Sequence, residues 1–318
     1  MRSYDNLRAA TVRSGLMLEV AAELVGGYDW PMKQARINLR EQGGESWGLS
    51  LFASDAPGTI DEVMRGEVQV GIVNPSAVLA MAYRGTGPFP EPLPVRAITV
   101  IPQFDQLGFA VARRTGLNSL RELAERRYPL RLSLRGQRDH SVHLVTNQVL
   151  AALGFSLDDI TAWGGEVRYT SQLPNGPDRL GAVERGEMDA IFDEAMPTFG
   201  ARALDTGMRF LRLDEAHLTQ LEQIGLQRVA ITREEYPALA EDVWTVDFSG
   251  WPVFVREDLD DGIVRAFCAA LEARKDRIPW YGEGPLPLDQ MCRDTRDGRL
   301  TTPLHPAAEA FWREQGYL

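Results

Sequence analysis

Three things are scarce in this chain of 318 residues, and each scarcity closes off a class of protein. Cysteine occurs twice, at Cys268 and Cys292, at no metal-ligand spacing and too sparsely for a disulfide framework. The two read as buried or half-buried thiols. No apolar run approaches bilayer-spanning length, and the opening Met1-Arg2-Ser3-Tyr4-Asp5-Asn6 is polar, with Arg8, Arg13 and Glu19 interrupting the residues after it. As it stands the sequence predicts a cytoplasmic protein with no direct membrane insertion, or a periplasmic one if an export signal was lost from its start. Positive charge is also short: Lys+Arg number 34 against 45 Asp+Glu, a formal charge of −11. With no helix-turn-helix extension evident, that balance argues against nucleic acid as a partner. A local pair of arginines can still oppose the global sign.

What is present is an ordinary apolar and charged composition, on a length sufficient for two α/β domains. One grammar occurs twice. Val63-Met64-Arg65-Gly66-Glu67 runs into the short apolar stretch Val68 to Val73 and the polar Asn74-Pro75-Ser76. Val183-Glu184-Arg185-Gly186-Glu187 runs into Met188 to Phe192 and then Asp193-Glu194. Glycine past the last helical residue stops a helix, because it enters the left-handed region without a Cβ clash. Each stop precedes a stretch that reads as a buried parallel strand, and ligands of open α/β sheets gather at the carboxyl ends of such strands. The fold class read from this is α/β, with two lobes that each offer a polar loop to a shared cleft.

Along the chain, Leu16 to Val25 reads as a helix, with Leu7 to Thr11 either a first strand or its upstream part. Ala35 to Leu39 reads as a strand. The turn Gln42-Gly43-Gly44-Glu45-Ser46 leads into a predicted helix, and is either an anion seat or only a tight turn. Gly85 to Pro94 is dense in proline and glycine and reads as a surface spacer. Strands come next at Val95 to Val100 and Gly108 to Ala112, with Gln103-Phe104-Asp105-Gln106 between them as a crossing to the second lobe. There, helix Ser119 to Arg126, strand Leu130 to Leu134, helix Val142 to Leu153 and strand Glu166 to Tyr169 alternate. The return crossing is placed at Asp247-Phe248-Ser249-Gly250-Trp251-Pro252. Lobe one is then residues 1–103 and 247–318, and lobe two is 104–246.

The loop Arg135-Gly136-Gln137-Arg138-Asp139-His140-Ser141 is the main anion-binding candidate. Asp139 or Ser141 can cap the helix after it, and Arg135 and Arg138 can grip a carboxylate through paired hydrogen bonds. Asp193 and Glu194 could accept from a ligand amine or hydroxyl, hold a metal, or pair with those arginines. His140 and His143, three apart on a predicted helix, share a face and with a carboxylate could take a divalent metal. Trp251 either stacks on a ligand or packs at the crossing.

The closing segment Pro303-Leu304-His305-Pro306-Ala307-Ala308-Glu309-Ala310-Phe311-Trp312-Arg313-Glu314-Gln315-Gly316 resembles the "P-L-H-P-G-A-x-x-Y/F-x-x-E-x-G" motif of the TAXI family, the solute-binding proteins of tripartite (TRAP) transporters. Gly43-Gly44-Glu45-Ser46, both Arg-Gly-Glu turns and Gly116 to Leu123 continue the resemblance, which covers most of the chain from about Ala35. It implies a two-lobed periplasmic-binding-protein type II-like architecture with two hinge crossings, closing on a small organic acid or amino acid, with transporter membrane subunits as partners if the protein is exported. Carried over by position, the ligand contacts are Gly44, Glu45, Ser46, Asn74 and Ser76 from lobe one. Arg135, Gln137, Arg138, His140, Ser141, Asp193, Glu194 and, by the crossing, Trp251 complete the set. No catalytic residue, cofactor or metal is assigned. The family's second-lobe loop is small and neutral and its last loop is usually not acidic, so this chain departs from the pattern in both places. Those departures motivate the alternative, a cytoplasmic enzyme on the same scaffold acting as a metal-assisted decarboxylase or hydrolase of an organic acid. A ligand sensor acting through a protein partner is a third reading.

Overall fold

The computed structural model describes residues 35–40, 48–53, 56–278, 280, 282–290 and 300–318. The expected elements before Ala35, the Gly43–Ser46 turn and Cys292 lie outside these residues. Strand β1 (Ala35–Arg40) pairs antiparallel with β2 (Gly48–Ala53). The helix expected directly after the glycine turn is therefore a strand, and helix begins only at α1 (Thr59–Met64).

Strand β3 (Val70–Ile72), helix α2 (Ser76–Arg84) and strand β4 (Val95–Ile101) come next. Then come β5 (Gly108–Ala112), α3 (Leu120–Glu125), β6 (Arg131–Arg135), α4 (Ser141–Ala152), α5 (Leu157–Ala162) and β7 (Glu166–Thr170). Helix α6 (Leu180–Glu184), β8 (Ala190–Asp193), α7 (Met196–Asp205), β9 (Met208–Phe210) and α8 (Glu215–Ile224) continue the chain. Strands β10 (Arg228–Ile231), β11 (Val243–Val246) and β12 (Trp251–Arg256) precede α9 (Asp261–Arg274) and α10 (Pro306–Glu314).

The fold is α/β. One five-stranded sheet runs β1-β2-β3-β12-β4, a second runs β7-β6-β8-β5-β9, and β10 and β11 form a separate pair. The chain builds four strands of the first sheet, crosses to the second, and returns to insert β12. Each sheet thus holds one strand that adjoins a crossing and runs against its neighbours: β12 between β3 and β4, and β5 between β8 and β9. This is the two-crossing, periplasmic-binding-protein-like arrangement that the resemblance implies. Strands β3 and β8, the products of the two Arg-Gly-Glu turns, occupy matching places. Each is parallel to one neighbour and antiparallel to the other, rather than purely parallel.

Both turns are the same helix stop in atomic detail. Gly66 N–H donates to Val63 O and Glu67 N–H to Glu62 O; Gly186 N–H donates to Val183 O and Glu187 N–H to Ala182 O. This double bond pattern requires a left-handed residue, and the glycines sit at φ 73° and 76°. In both, the arginine before the glycine bridges the glutamate after it, at 2.6 and 2.7 Å.

Strand residues alternate between two apolar layers, as a period of two demands. Phe109, Val111, Ala190, Phe192 and Phe254 enter an inner core shared with α1, α2, α3, α4 and α8. Ala110 and Ile191 face α6 and α7, while Val253 and Val255 face α9 and α10, where Cys268 is buried. The proline-rich segment after α2 is not a plain surface spacer. Thr86 donates its hydroxyl to Ile224 O at 2.6 Å, and Leu93 packs on the inner core, so the segment is stitched to the end of α8. Among the described residues no helix is long and apolar enough to cross a membrane.

Two left-handed glycines provide a test of this packing. A Cβ on Gly66 meets open space, whereas one on Gly85, at φ 68°, runs into the backbone of Glu91 and Pro92. Gly66→Ala should cost about 1–2 kcal/mol, the left-handed penalty alone. Gly85→Ala should cost roughly 1–3 kcal/mol more through overpacking. Equal urea midpoints for the two variants would contradict the close approach at Gly85.

Candidate functional site

Three strand ends and the two crossings meet at one place. Strand β3 delivers Asn74 and Ser76 to the start of α2, β6 delivers Arg135 through His140 to the start of α4, and β8 delivers Asp193 and Glu194 to the start of α7. The crossings pair with each other: Leu107 N–H donates to Val246 O, Phe248 N–H to Asp105 O and Gly250 N–H to Gln103 O, at 2.8–3.0 Å. They form an antiparallel ribbon between the two sheets. Of the expected contacts, Gly44, Glu45 and Ser46 lie outside the described residues.

Asp193 is fully buried, and burial alone would push its carboxyl up. Arg179, also fully buried, and Arg135 more than offset that and hold it below the usual range. Arg135 donates to Asp193 Oδ1 at 2.9 Å and also to Glu194. Arg179 donates to Asp193 Oδ2, to Ser133 Oγ at 3.1 Å and to the Ser133 and Gln172 carbonyls at 3.4 Å. A buried guanidinium is tolerated only when its donors are matched in this way.

Asp105, in the outbound crossing, reaches the same cluster. Its carboxylate accepts N–H bonds from Gln106 at 2.8 Å, Ala195 at 2.8 Å and Met196 at 3.0 Å, so a ribbon residue caps α7. That cap holds Ala195 in the left-handed region at φ 68°, a strained conformation for a residue with a Cβ. Asp105 and Glu194 lie close enough for the Asp105 carboxyl to disfavour ionisation of Glu194. Burial pushes Glu194 up to about 8; Arg135 opposes this, while Asp193 and Asp105 reinforce it. Burial likewise raises Asp105 to about 6, against its backbone donors. Near neutral pH burial therefore favours the protonated form of Glu194.

His140 caps α4 itself. Its Nδ1 accepts from Val142 N–H at 3.0 Å, in place of the cap expected from Asp139 or Ser141. Its Nε2 lies 3.1 Å from Arg135 Nη1 and 3.8 Å from Glu194 Oε1. Burial, then Arg135, pushes this imidazole down to about 3, so it is neutral. Because His140 is a cap in extended conformation, it does not share a helix face with His143. The His143 ring instead contacts the Gln137 carbonyl at 2.9 Å. No His, Cys, Asp and Glu grouping suited to a metal ion occurs among the described residues.

Arg138 takes no part in the cluster. It is exposed and stacks over Tyr169, 3.6 Å from the ring centroid. Arg135, Gln137, His140, Ser141, Asp193 and Glu194 are brought to one end of the second sheet. Asn74 and Ser76 join them through the ribbon, since Ser76 N–H donates to Ser249 O and Asp105 N–H to Ser249 Oγ. Trp251 is half-buried against the apolar layer that holds Ile101 and Val253.

Sequence reasoning misses Asp105, Gln103 and Arg179 as members of this cluster. A signal for Arg179 exists in the repeat. Superposing the two turns at Gly66 and Gly186 sets Arg179 opposite Thr59 and Asp193 opposite Val73, so the charges enter the second copy as a matched pair.

Residues 46–316 match the NMT1-like family, which is most of the chain. The chain belongs to the NMT1-like family. Among curated proteins none matches this NMT1-like chain. It is similar to a glycine betaine/L-proline-binding protein of an ABC transporter from Borrelia burgdorferi, at 14% identity over 65% of this chain and 63% of that one, TM-score 0.37. The NMT1-like chain thus spans less than two thirds of that protein's length. It is also similar to a TctC solute-binding protein from Polaromonas, at 13% identity over 68% of each chain, TM-score 0.35. A third similar structure is an ATP phosphoribosyl transferase complex from Thermotoga maritima, at 12% identity over 84% of this chain and 96% of that one, TM-score 0.39.

Two outcomes check the electrostatics of the site in this NMT1-like protein. Arg179→Met should destabilise by about 3–5 kcal/mol, because it strips a partner from a buried carboxylate. Arg138→Ala should cost less than about 1 kcal/mol. The pH dependence has a definite sign. Glu194 is raised from 4.5 to about 8, so the folded state holds an extra proton between those values. Stability should therefore fall as pH rises through that window, with Asp105 contributing below about 6. Glu194→Gln should flatten the fall between about pH 5 and 8 in urea midpoints.

Proposed function

We propose that this protein is a solute-binding protein of transporter type, which closes two lobes around a small organic acid or amino acid. The lobes are residues 1–103 with 247–318, and residues 104–246. The observation that carries the reading is the convergence of the starts of α2, α4 and α7, with their buried polar side chains, beside a ribbon made of both crossings. Helix starts present N–H groups and partial positive charge to a carboxylate, and a two-stranded ribbon is a natural place for lobes to bend. The bending segments in this reading are those around Phe104 and Phe248.

The charge balance favours the amino-acid branch. Arg135 and Arg179 are already engaged by Asp193 and Glu194, so the second lobe's side offers no spare pair of arginines to a dicarboxylate. The solute's carboxylate then falls to the positive end of α2. Membrane subunits of a transporter are the protein partners under this reading, and the periplasm is its place of work, which cell fractionation tests.

The enzymatic alternative has one observation in its favour. Glu194 is a buried carboxyl poised near neutral pH, a property shared with general acids. Product accumulating from an organic acid would select it.

A thermal-shift series with amino acids, dicarboxylates and aromatic acids, with and without divalent metal, tests the proposal. An acid at a hundredfold excess over its Kd should stabilise the fold by about 2.7 kcal/mol. That corresponds to a rise on the order of 5 °C or more in Tm. No shift with any acid would sink the binding reading.

A further inference from the structure

The corner between Ser249, Gln103 and the acid pair is short of donors. Asn74 Oδ1, Ser76 Oγ and Gln103 Oε1 are buried and meet no hydrogen-bond partner among the described residues. Gln103 Nε2 donates to Asp105 Oδ2 at 3.3 Å, which sets the amide so that Oε1 is the atom left over and ties it to the acid pair. Ser76 and Asp105 are held on the same residue, through Ser249 O at 3.1 Å and Ser249 Oγ at 3.0 Å. Ser76 and Gln103 are themselves 3% and 6% exposed, so water does not satisfy them freely.

Charge is short in the same place. Four buried carboxyls, Asp105, Asp193, Glu194 and Asp247, stand here, the last accepting from Ser249 Oγ at 2.7 Å, and the guanidiniums that pair with Asp193 and Glu194 are those of Arg135 and Arg179. The groups facing the acid pair are Arg135 from β6, neutral His140 from the start of α4, Asp193 from β8 and, toward Asp105, Tyr236 from the segment before β11. Arg179 reaches only Asp193 among these acids. Acidic groups thus outnumber basic ones at this corner among the described residues.

We infer that this corner receives a protonated amine of the solute. Seating the amine then expels the proton that burial favours on Glu194 beside Asp105. The inference rests on the solute-binding reading above. An ammonium carries N–H donors to oxygens that lack them and places a cation where two carboxylates would otherwise repel. The balance is simple: the carboxyl O–H gives its proton to solvent, both carboxylates become anionic, and N–H bonds take the place of that O–H. A hydroxyl at the same position carries one donor and no charge, so it leaves the proton in place. A quaternary ammonium carries charge without N–H donors, so the oxygens stay unsatisfied.

The test uses the full-length protein and three matched probe sets: L-amino acids, the 2-hydroxy acids with the same side chains, and the N,N,N-trimethyl derivatives. Whichever L-amino acid raises Tm most is titrated calorimetrically at neutral pH in phosphate and in Tris, beside its two analogues. The expected result is release of about one proton on binding the amino acid, seen as a buffer-dependent enthalpy, and none with the hydroxy acid. Affinity for the amino acid should exceed that for either analogue by roughly tenfold or more. Glu194→Gln, checked for folding by circular dichroism, should abolish the buffer dependence. Binding of the hydroxy acid as tight as the amino acid, or amino-acid binding with buffer-independent enthalpy in the wild type, overturns this inference and leaves the solute-binding reading intact. If no probe in any set raises Tm, the solute-binding reading fails and this inference falls with it.

Discussion

Asp193 sits at the end of a central strand with no access to water, and a carboxylate in that position must be paired. Much of the second half of the chain answers to that requirement. Arg179, just ahead of α6, is drawn fully into the interior to meet it, and Ser133 on β6 and the Gln172 carbonyl are drawn in to satisfy the remaining guanidinium donors. Arg135 meets the other oxygen and extends the network to Glu194. One buried charge therefore ties the ends of β6 and β8 to the segment before α6. Replacing the whole set with apolar residues would be thermodynamically easy. Its presence is better explained by what it positions than by what it stabilises.

What it positions is Glu194, and through it the crossing ribbon. Asp105 belongs to the ribbon yet caps a helix of the second sheet, so any bend in the ribbon changes the acid pair. The strained Ala195 lies next to Glu194 in the chain and is held by the same cap. Backbone strain of this kind persists where surrounding bonds over-determine it, and it is concentrated at sites that act. The inner apolar core, shared by helices from both sheets, keeps the rest of the junction dry and so raises the weight of every charge within it.

The sequence shows the parts of this arrangement that are coded locally. Both Arg-Gly-Glu stops form as read, because a left-handed glycine, a preceding helix and a flanking ion pair are all short-range features. Helix α4 and the strand at Gly108 fall close to where the sequence puts them. Sequence and structure part where context decides. Strand β2 stands where the sequence reads as helix, α5 opens on a Ser156–Asp159 capping box and α7 carries Pro197 in its first turn without either being read as helix, and the proline-rich segment is stitched to α8. Arg135, His140, Asp193 and Glu194 can be nominated from the sequence because unusual charge stands at strand ends. Their partners cannot, since Arg179 and Asp105 reach the site only through tertiary pairing, and Arg138, equally charged and three residues from Arg135, turns outward onto Tyr169.

The internal repeat gives these differences a direction. At the positions where the first copy has Thr59, Val73 and Asn74, the second has Arg179, Asp193 and Glu194. Arg179 and Asp193 cancel one another, so the exchange of Thr59 and Val73 for charges alters the local field little. Glu194 has no such counterpart. Its claim on Arg135 is contested by Asp193, and its other neighbour, Asp105, is also an acid. The same backbone carries a neutral amide in the first copy, so the turn and strand themselves do not call for an acid in that position. The buried acid at Glu194, rather than the arginine loop, is therefore the feature that sets the second copy apart.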